Sequence, residues 1–265
     1  MAEILKLINK KILISGALGL IGSKLATRLI KNKNRIILID YKINKKNKIY
    51  LEFRKKNIPI FDIDLKSKNH LQNFFKNQKK KLQGLNTVIN LAAIDRKVDD
   101  KNSYIQSEFY NFDYNLIRES VDNNLLGTVN MCQESCKFFI NNKIKKANII
   151  NVASTYSIVA PNPLLYGNKK NKPIDYVISK GSIPILTKYI AVNYAKKNIR
   201  CNCIVPHAVI KNPPTKFLDK FKKLSPIGRT CKIEEVLDPL IFLISDGSSY
   251  MNGSIVTVDG GWTAW

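Results

Sequence analysis

Short apolar runs rich in β-branched residues alternate with longer amphipathic segments along most of the 265-residue chain. Several of these runs, such as 36–39 and 87–90, are apolar at nearly every position. Strands of this kind are typical of a parallel sheet that is covered by helices on both faces. The alternation therefore predicts an α/β fold, and a chain of this length can bury one substantial core.

The same pattern places the individual elements along the chain. The predicted strands are 11–15, 35–40, 58–61, 86–91, 148–153, 200–205 and 254–258. The predicted helices include 20–31, a segment capped by Ser67 that runs to about residue 80, 175–197 and 233–245. Pro184 is expected to kink the third of these helices, because proline cannot donate a backbone hydrogen bond. The sequence has neither a repeat nor a linker-like composition, so residues 1–265 are predicted to form one domain.

A glycine-rich turn at residues 15–22 joins the first predicted strand to the first predicted helix. Gly16 permits a tight turn, Gly19 a close approach of the backbone to a ligand, and Gly22 close packing of the helix. The N-terminus of such a helix can bind a pyrophosphate through its free N–H groups. The turn therefore predicts a dinucleotide site, although its glycine spacing differs from G-x-G-x-x-G.

Asp40 closes the second predicted strand. A carboxylate at this position can accept hydrogen bonds from the adenosine ribose and repel the 2′-phosphate of NADP. Leu18, and no basic residue, precedes the second glycine of the turn, which also favours NAD. NADP remains possible because basic residues follow closely, at Lys42, Lys45 and Lys46. Asp40 also fits a purely structural role as the cap of a loop.

Tyr176 and Lys180 lie four residues apart in a predicted helix, so their side chains share one face. An unperturbed tyrosine has a pKa of about 10 and is a poor base at neutral pH. A neighbouring ammonium favours the phenolate and lowers that pKa, which suits Tyr176 to proton exchange with an alcohol or carbonyl oxygen. Ser154 ends a predicted strand and can orient that oxygen. Without the other features, this Tyr–Lys spacing would indicate only a surface pair.

The chain carries 44 basic and 20 acidic residues, a formal net charge of +24. Such an excess fits nucleic acid, an anionic membrane or acidic substrates. The lysines are scattered along a sequence that is also rich in Asn and Ile, which favours a general composition bias. Since no nucleic-acid-binding motif is visible, nucleic acid is an unexpected partner.

Cysteine, histidine and hydropathy narrow the class of protein further. The five cysteines form no disulfide framework and are expected to be reduced and mostly buried. His70 and His207 stand in unrelated contexts, which argues against a metal site. No apolar stretch reaches the roughly 20 residues of a membrane span, and residues 1–11 contain no signal-peptide core. We therefore expect a cytoplasmic protein.

Together these features resemble the short-chain dehydrogenase/reductase family over nearly the whole chain. Further segments resemble its motifs: 90–93 (Asn-Leu-Ala-Ala), 124–127 (Asn-Leu-Leu-Gly), 151–154 (Asn-Val-Ala-Ser), 199–202 (Ile-Arg-Cys-Asn) with Pro206, 225–229 (Ser-Pro-Ile-Gly-Arg) and 258–261 (Val-Asp-Gly-Gly). The resemblance implies a single-domain, Rossmann-type doubly wound parallel sheet with helices on both faces. It also implies hydride transfer between NAD(P) and a secondary alcohol or ketone.

The resemblance assigns a role to each matching residue. Tyr176 is the implied acid/base, and Lys180 lowers its pKa and holds the nicotinamide ribose. Ser154 orients the substrate oxygen, and Asn124 supports a helix bend and a proton relay. The residues expected to contact the cofactor are Gly16, Leu18, Gly19, Leu20, Ile21, Gly22, Asp40, Asp64, Leu65, Asn90, Ala92, Tyr176, Lys180, Pro206 and Val209.

The segment between Ser154 and Tyr176 is long for this family, at 21 residues. It is expected to form an irregular basic loop over the site, with Pro161, Pro163, Tyr166, Lys169, Lys170, Lys172 and Pro173. Together with residues 92–98 it resembles a bacterial subgroup tied to flagellin modification and surface-glycan biosynthesis, whose members act on sugars or activated sugars. A basic loop suits a phosphate-bearing substrate.

Other departures lie after the sixth predicted strand. His207 and Lys211 replace a glycine and a threonine that are common in the family, so this loop meets the nicotinamide end differently. Residues 206–224 are expected to form a mobile substrate lid, with Asn212 in it. The resemblance also implies a homotetramer or homodimer through the helices holding Asn124 and Tyr176, with the C-terminal Trp262 and Trp265 adding contacts.

Two alternatives to a sugar oxidoreductase remain open. A 3-oxoacyl-[acyl-carrier-protein] reductase would suit the positive charge, but the long insert and Asp40 argue against it. A non-catalytic cofactor-sensing or nucleic-acid-binding protein would have no need of Ser154, Tyr176 and Lys180 together. Substrate contacts are expected from loops near 95–111, 156–172 and 211–224, which do not name a molecule.

Overall fold

A computed structural model describes Leu7 and residues 10–96, 108–166, 171–211 and 213–265. In these ranges the strands form one parallel sheet in the order β3-β2-β1-β4-β5-β6-β7. They are β1 (Lys11–Ser15), β2 (Arg35–Asp40), β3 (Ile60–Asp62), β4 (Thr87–Asn90), β5 (Ala147–Val152), β6 (Ile199–Pro206) and β7 (Ile255–Val258). The predicted parallel sheet is confirmed.

Helices connect the strands. They are α1 (Leu20–Lys31), α2 (Lys48–Lys55), α3 (Lys68–Asn77), α4 (Lys79–Leu82), α5 (Tyr114–Ser120), α6 (Gly127–Asn141), α7 (Pro163–Tyr166), α8 (Ile174–Gly181), α9 (Ile183–Tyr194), α10 (Thr215–Leu224) and α11 (Ile233–Ile244). A π-helical turn, Val121–Leu126, joins α5 to α6. Ser67 caps α3 as predicted, since its hydroxyl accepts the His70 N–H at 3.2 Å.

Both faces of the sheet are buried. Leu13 of β1 packs in a core that includes side chains of α3, α6 and α9. Its neighbours Ile12 and Ile14 point the other way, into a second core with α1, α2 and α11. Successive side chains of a strand face opposite sides, so a strand buried on both sides must be apolar throughout. The doubly wound fold explains the continuous apolar runs of the sequence.

The structure corrects two predicted elements. The third strand is Ile60–Asp62, two residues later than the apolar pattern indicated at its start. The single helix predicted over 175–197 is broken at Ser182 into α8 and α9, followed by a short 3-10 turn at Ala195–Lys197. Pro184 lies in the first turn of α9, where its missing N–H removes no helical hydrogen bond.

The order of the strands places the carboxyl ends of β1, β4 and β5 side by side. Ser15 is paired with Asn90, and Asn90 with Asn151. After β1 the chain extends the sheet through β2 and β3 on one side, and then continues on the other side with β4. Open α/β sheets bind their ligands at such a switch point, outside the carboxyl ends of the strands.

The cysteines are free thiols, and four of them are buried: Cys132, Cys136, Cys201 and Cys203. Burial raises the pKa of Cys136 and Cys203 to about 12, so both are protonated at neutral pH.

The helices of the described ranges are all too short or too polar to cross a membrane.

Leu240 tests the packing of α11 against the sheet, because its side chain is fully buried. We expect Leu240→Ala to lower the free energy of unfolding by about 2–5 kcal/mol through lost burial and a residual cavity. The matched control is Leu51→Ala on α2, where the leucine is 44% exposed and the loss should be about 0.5 kcal/mol or less. Urea denaturation of both variants measures the difference. Equal losses would contradict the described core.

Candidate active site

A cleft of about 310 Å³ lies at the carboxyl ends of β1, β2, β3 and β4, at the switch point. Six residues predicted to contact a cofactor line it: Gly16, Gly19, Asp40, Asp64, Leu65 and Ala92. It is also lined by side chains that the sequence analysis did not assign to it, among them Tyr41, Lys66, Glu119 and Asn123. The position of this cleft at the switch point suits a dinucleotide.

The glycine turn forms one wall of this cleft with no room for side chains. Gly16 has a φ of +67°, and a Cβ on it would lie 2.6 Å from the backbone nitrogen of Ala92. A Cβ on Gly22 would lie 2.2 Å from the carbonyl oxygen of Gly16. Gly22 therefore allows α1 to pack closely against the turn itself. The sequence had indicated close packing of this helix on the sheet.

The start of α1 is open to an anion. Gly19 is its N-cap and provides no side-chain cap, and the first turn contains no acidic residue. The first N–H groups of a helix have no partner within the helix and attract phosphate. Leu18, Ile21 and Val209 are partly buried, and their side chains pack against the hydrophobic core. Their predicted contacts with a cofactor remain predictions.

Asp40 has both of the roles that the sequence left open. Its Oδ2 accepts the Leu18 N–H at 2.7 Å and its Oδ1 accepts the Tyr41 N–H at 2.8 Å, so it fastens the glycine turn. Its carboxylate also lines the cleft. Burial raises the pKa of Asp40, although the two backbone hydrogen bonds oppose this effect. Lys42 and Lys66 flank the Tyr41 ring, 5.2 and 5.6 Å from its centroid.

Asn90 and Pro206 lie away from the lining of the cleft. The Asn90 amide donates to Asn151 Oδ1 at 2.8 Å, inside the sheet. Its own Oδ1 is buried without a partner among the described residues. Pro206 is the last residue of β6. The predicted cofactor contacts of both residues remain predictions.

Ser154, Tyr176 and Lys180 are brought together, as predicted. Ser154 follows β5 and hydrogen-bonds Tyr176, which is half-buried on α8. One turn later on the same helix, Lys180 is buried, and its Nζ donates to the Val152 carbonyl at 2.8 Å. A hydroxyl, a phenol and an ammonium therefore converge where β5 ends.

Burial shifts the pKa values of Tyr176 and Lys180 in opposite directions. Burial raises the pKa of Tyr176, and Asp95 raises it further, while the hydrogen bond from Ser154 opposes them. Burial lowers the pKa of Lys180 to about 8. The predicted effect of Lys180 on the pKa of Tyr176, together with a bound nicotinamide, remains a prediction, and here the Lys180 ammonium is directed at Val152. Tyr176 is therefore a neutral proton donor at neutral pH.

Asn124 lies in the π-helical turn and is fully buried, which gives the expected helix bend. Its Oδ1 accepts the Ile94 N–H at 2.7 Å, and its Nδ2 donates to the Ile94 carbonyl at 3.0 Å and to Ser179 Oγ at 2.9 Å. Asn124 thus joins the loop after β4 to the residue before Lys180. Its role in a proton relay remains a prediction.

The long segment between Ser154 and Tyr176 contributes side chains to the site that the sequence analysis did not single out for this role. The Tyr156 and Tyr166 hydroxyls are 2.5 Å apart. Lys172 forms an ion pair with Asp95, and its Nζ lies 4.5 Å from the centre of the Tyr176 ring. The positive charge of the expected basic loop is therefore balanced at Lys172 by the Asp95 carboxylate. Lys169 and Lys170 lie outside the described residues.

The expected lid contains a buried aromatic cluster. His207 Nδ1 lies 2.6 Å from the Thr155 hydroxyl, and its ring is 4.4 Å from that of Trp262. Trp262 stacks on Phe221 of α10 at 5.3 Å and is 6% exposed. The expectation that Trp262 contacts another subunit is therefore wrong, because it packs within its own chain. Trp265 is exposed, and Asn212 lies outside the described residues.

Gly22→Ala tests the dinucleotide cleft. The added methyl group would collide with the Gly16 carbonyl, so the turn must move, and we expect the affinity for NADH to fall about tenfold or more, which corresponds to at least about 1.4 kcal/mol. Gly181→Ala in α8 is the control, since its Cβ would meet nothing within 4 Å. Isothermal titration calorimetry measures both affinities. An unchanged affinity in Gly22→Ala would contradict this assignment.

Comparison with known proteins gives one family. Residues 16–263 match the protein-family model described as enoyl-(acyl carrier protein) reductase. The chain is 30% identical over 259 residues to post-translational flagellin modification protein A of Campylobacter coli, which covers 96% of this chain and 98% of that protein. It is 26% identical over 266 residues to 7α-hydroxysteroid dehydrogenase of Bacteroides fragilis, with 96% and 95% covered.

Solved structures agree with these relatives. A short-chain dehydrogenase from Leptospira borgpetersenii with bound NAD+ superposes with a TM-score of 0.81 at 25% identity, over 96% of this chain and 92% of that one. A proposed D-mannonate oxidoreductase from Haemophilus influenza with bound NAD gives 0.80 at 26% identity, over 97% and 96%. The resemblance seen in the sequence is confirmed: the chain belongs to the short-chain dehydrogenase/reductase family and is an NAD(P)-dependent oxidoreductase.

Proposed function

We propose that this enzyme oxidises or reduces a secondary alcohol or ketone of a sugar or activated sugar in surface-glycan biosynthesis. The observation that carries the proposal is the convergence of Ser154, Tyr176 and Lys180 at the end of β5. Asn124 joins α8 to Ile94, which lines the cleft. Similarity over 96% of the chain to a flagellin modification protein supports the glycan context. A similar fold and 26% identity to a proposed D-mannonate oxidoreductase support a polyhydroxylated substrate.

The proposed chemistry assigns one task to each side chain. NAD(P) bound in the cleft supplies or accepts the hydride. In the reductive direction Ser154 holds the substrate oxygen, and Tyr176 gives its hydroxyl proton to that oxygen as it gains negative charge. Lys180, one helical turn after Tyr176, would hold the nicotinamide ribose. In the oxidative direction Tyr176 must first release its own proton, and the phenolate then takes the proton of the alcohol.

The proposed substrate end of the site is polar. It contains the paired hydroxyls of Tyr156 and Tyr166 and the ion pair of Asp95 and Lys172. Such groups suit the hydroxyls of a sugar better than the chain of an acyl substrate. The acyl-carrier-protein alternative is supported by the description of the matching family model, and the experiment below distinguishes the two.

We further propose that residues 206–224 act as a substrate lid. Its helix α10 packs on α7 of the long insert, and Phe217 of the lid lies 6.4 Å from Tyr166. Movement of α10 would therefore change the surroundings of the paired tyrosines.

A homotetramer or homodimer in the cytoplasm also remains a proposal. Exposed apolar side chains on α9, such as Ile185, Tyr189 and Val192, support an oligomer.

Asp40→Asn tests the proposed preference for NAD. The change keeps an acceptor for the Leu18 N–H and removes the negative charge that would repel a 2′-phosphate. We expect the ratio of NADH to NADPH affinity to fall roughly tenfold, about 1.4 kcal/mol. Asp238→Asn on α11, an exposed ion-pair partner of Arg28, is the control. Unchanged discrimination in Asp40→Asn would rule out this role.

Label transfer tests the function itself. The protein is incubated with NADH or NADPH deuterated at the nicotinamide C4 and with an extract of small metabolites, and mass spectrometry identifies deuterated products. We expect label in a sugar or sugar nucleotide, and at least about a 100-fold loss of it in Tyr176→Phe with NADH binding retained. Label in an acyl thioester would favour the acyl-carrier-protein alternative. Label in Tyr176→Phe at the wild-type rate would contradict the proposed role of Tyr176.

A further inference from the structure

The loop after β4 and the long insert place two opposite charges beside Tyr176. We propose that Lys172 is a positioning residue whose ammonium, held over the Tyr176 ring, promotes release of the tyrosine proton, and that Asp95 opposes it. This inference rests on the proposed acid/base role of Tyr176. It assigns to the insert an electrostatic task that differs from holding the substrate.

The position of Lys172 is well defined by its contacts. Its Nζ forms an ion pair with Asp95, donates to the Arg96 carbonyl at 3.3 Å, and lies 4.5 Å from the centre of the Tyr176 ring. The Lys172 side chain is only 8% exposed, whereas that of Asp95 is 57% exposed. Lysine side chains are rarely buried to this extent without a partner, and here the partners are a carboxylate and an aromatic face.

Lys172 Nζ lies over the Tyr176 ring, and Lys180 Nζ is held by a backbone carbonyl. Lys180 directs its Nζ at the Val152 carbonyl, and burial lowers its pKa to about 8. Part of the Lys180 population is therefore uncharged in mildly alkaline solution. Lys172 Nζ is instead held between the Asp95 carboxylate and the face of the Tyr176 ring. A cation over the ring attracts the neutral phenol weakly and the phenolate strongly.

The two charges act on one proton transfer. When the Tyr176 O–H bond breaks, the proton passes to the substrate oxygen and the electron pair stays on the phenol oxygen. The new negative charge is attracted by Lys172 and repelled by Asp95. Asp95 indeed raises the pKa of Tyr176. Its exposed carboxylate is screened by water, whereas the ammonium of Lys172 is mostly buried over the Tyr176 ring.

Several other charged and titratable groups surround Tyr176 in the part of the chain that the structure describes. They are Lys180 and Asp175 on its own helix, Tyr166 from the insert, Arg96 from the loop after β4, and Tyr156 after β5, with His207 beyond it. Asp175 is paired with Arg96, which also pairs with Glu119. Burial keeps Tyr156, with a pKa of about 12, uncharged at neutral pH, and lowers the pKa of His207 to about 4. Lys172 and Asp95 are therefore the pair to alter.

Titration of Tyr176 itself tests the proposal without any substrate. The full chain is labelled with carbon-13 at the tyrosine Cζ, and the Tyr176 signal, one of 11, is assigned from its loss in Tyr176→Phe. We expect Asp95→Asn to make Tyr176 titrate at a lower pH than in the wild type, and Lys172→Met to keep it protonated up to the highest pH at which the protein stays folded. Lys172→Arg keeps the positive charge and should leave the pKa of Tyr176 at its wild-type value. In the double variant Lys172→Met/Asp95→Asn this pKa should lie between those of the two single variants.

A purely structural ion pair predicts a different pattern. If Lys172 and Asp95 only fasten the insert, either single change moves the Tyr176 titration in the same direction, and Lys172→Arg and the double variant show no compensation. That result overturns the proposal, as does a Tyr176 signal that titrates no earlier in Asp95→Asn than in Lys172→Met. Unchanged NADH affinity in each variant confirms that the fold is intact. Opposite shifts of the Tyr176 titration in the two single variants, together with no product in the label-transfer experiment, would contradict the proposed function and leave the role of Lys172 supported.

Discussion

The hydrogen-bonded pairing of β1 with β4, and of β4 with β5, is the constraint on which the site depends. It places Ser15, Asn90 and Asn151 in register across three parallel strands. The segments that leave these strands therefore begin at one edge of the sheet. One of them is the glycine turn, whose Gly16 meets the backbone of Ala92 so closely that no side chain fits between them. A shift of one residue in either pairing would separate the cleft from Ser154.

Features set by local chemistry were predictable from the sequence. Helix α1 begins and ends at the predicted residues, because a glycine turn and an amphipathic period define it without reference to the rest of the chain. The pairing of Tyr176 with Lys180 follows from helical geometry in the same way. Ser154 required the family resemblance as well, since a serine at the end of a strand is not informative alone.

Features set by contacts between distant segments were not predictable. The ion pair between Asp95 and Lys172 joins residues that no sequence period relates. Trp262 is an aromatic residue of the kind that is enriched at protein interfaces. It nevertheless stacks against Phe221 inside the chain. The direction of the Tyr176 pKa also depended on burial, which a sequence does not give residue by residue. In the sequence, the unusual length of the insert was the feature that set this region apart from the rest of the family.

The central claim is that the cleft and Tyr176 form one continuous site. A crystal structure of the complex with NAD+ tests it most directly. We expect the adenosine ribose beside Asp40, the pyrophosphate at the start of α1, and the nicotinamide C4 facing the space between Ser154 and Tyr176. A cofactor bound outside the cleft, or a nicotinamide ring directed away from the Tyr176 hydroxyl, would contradict the account.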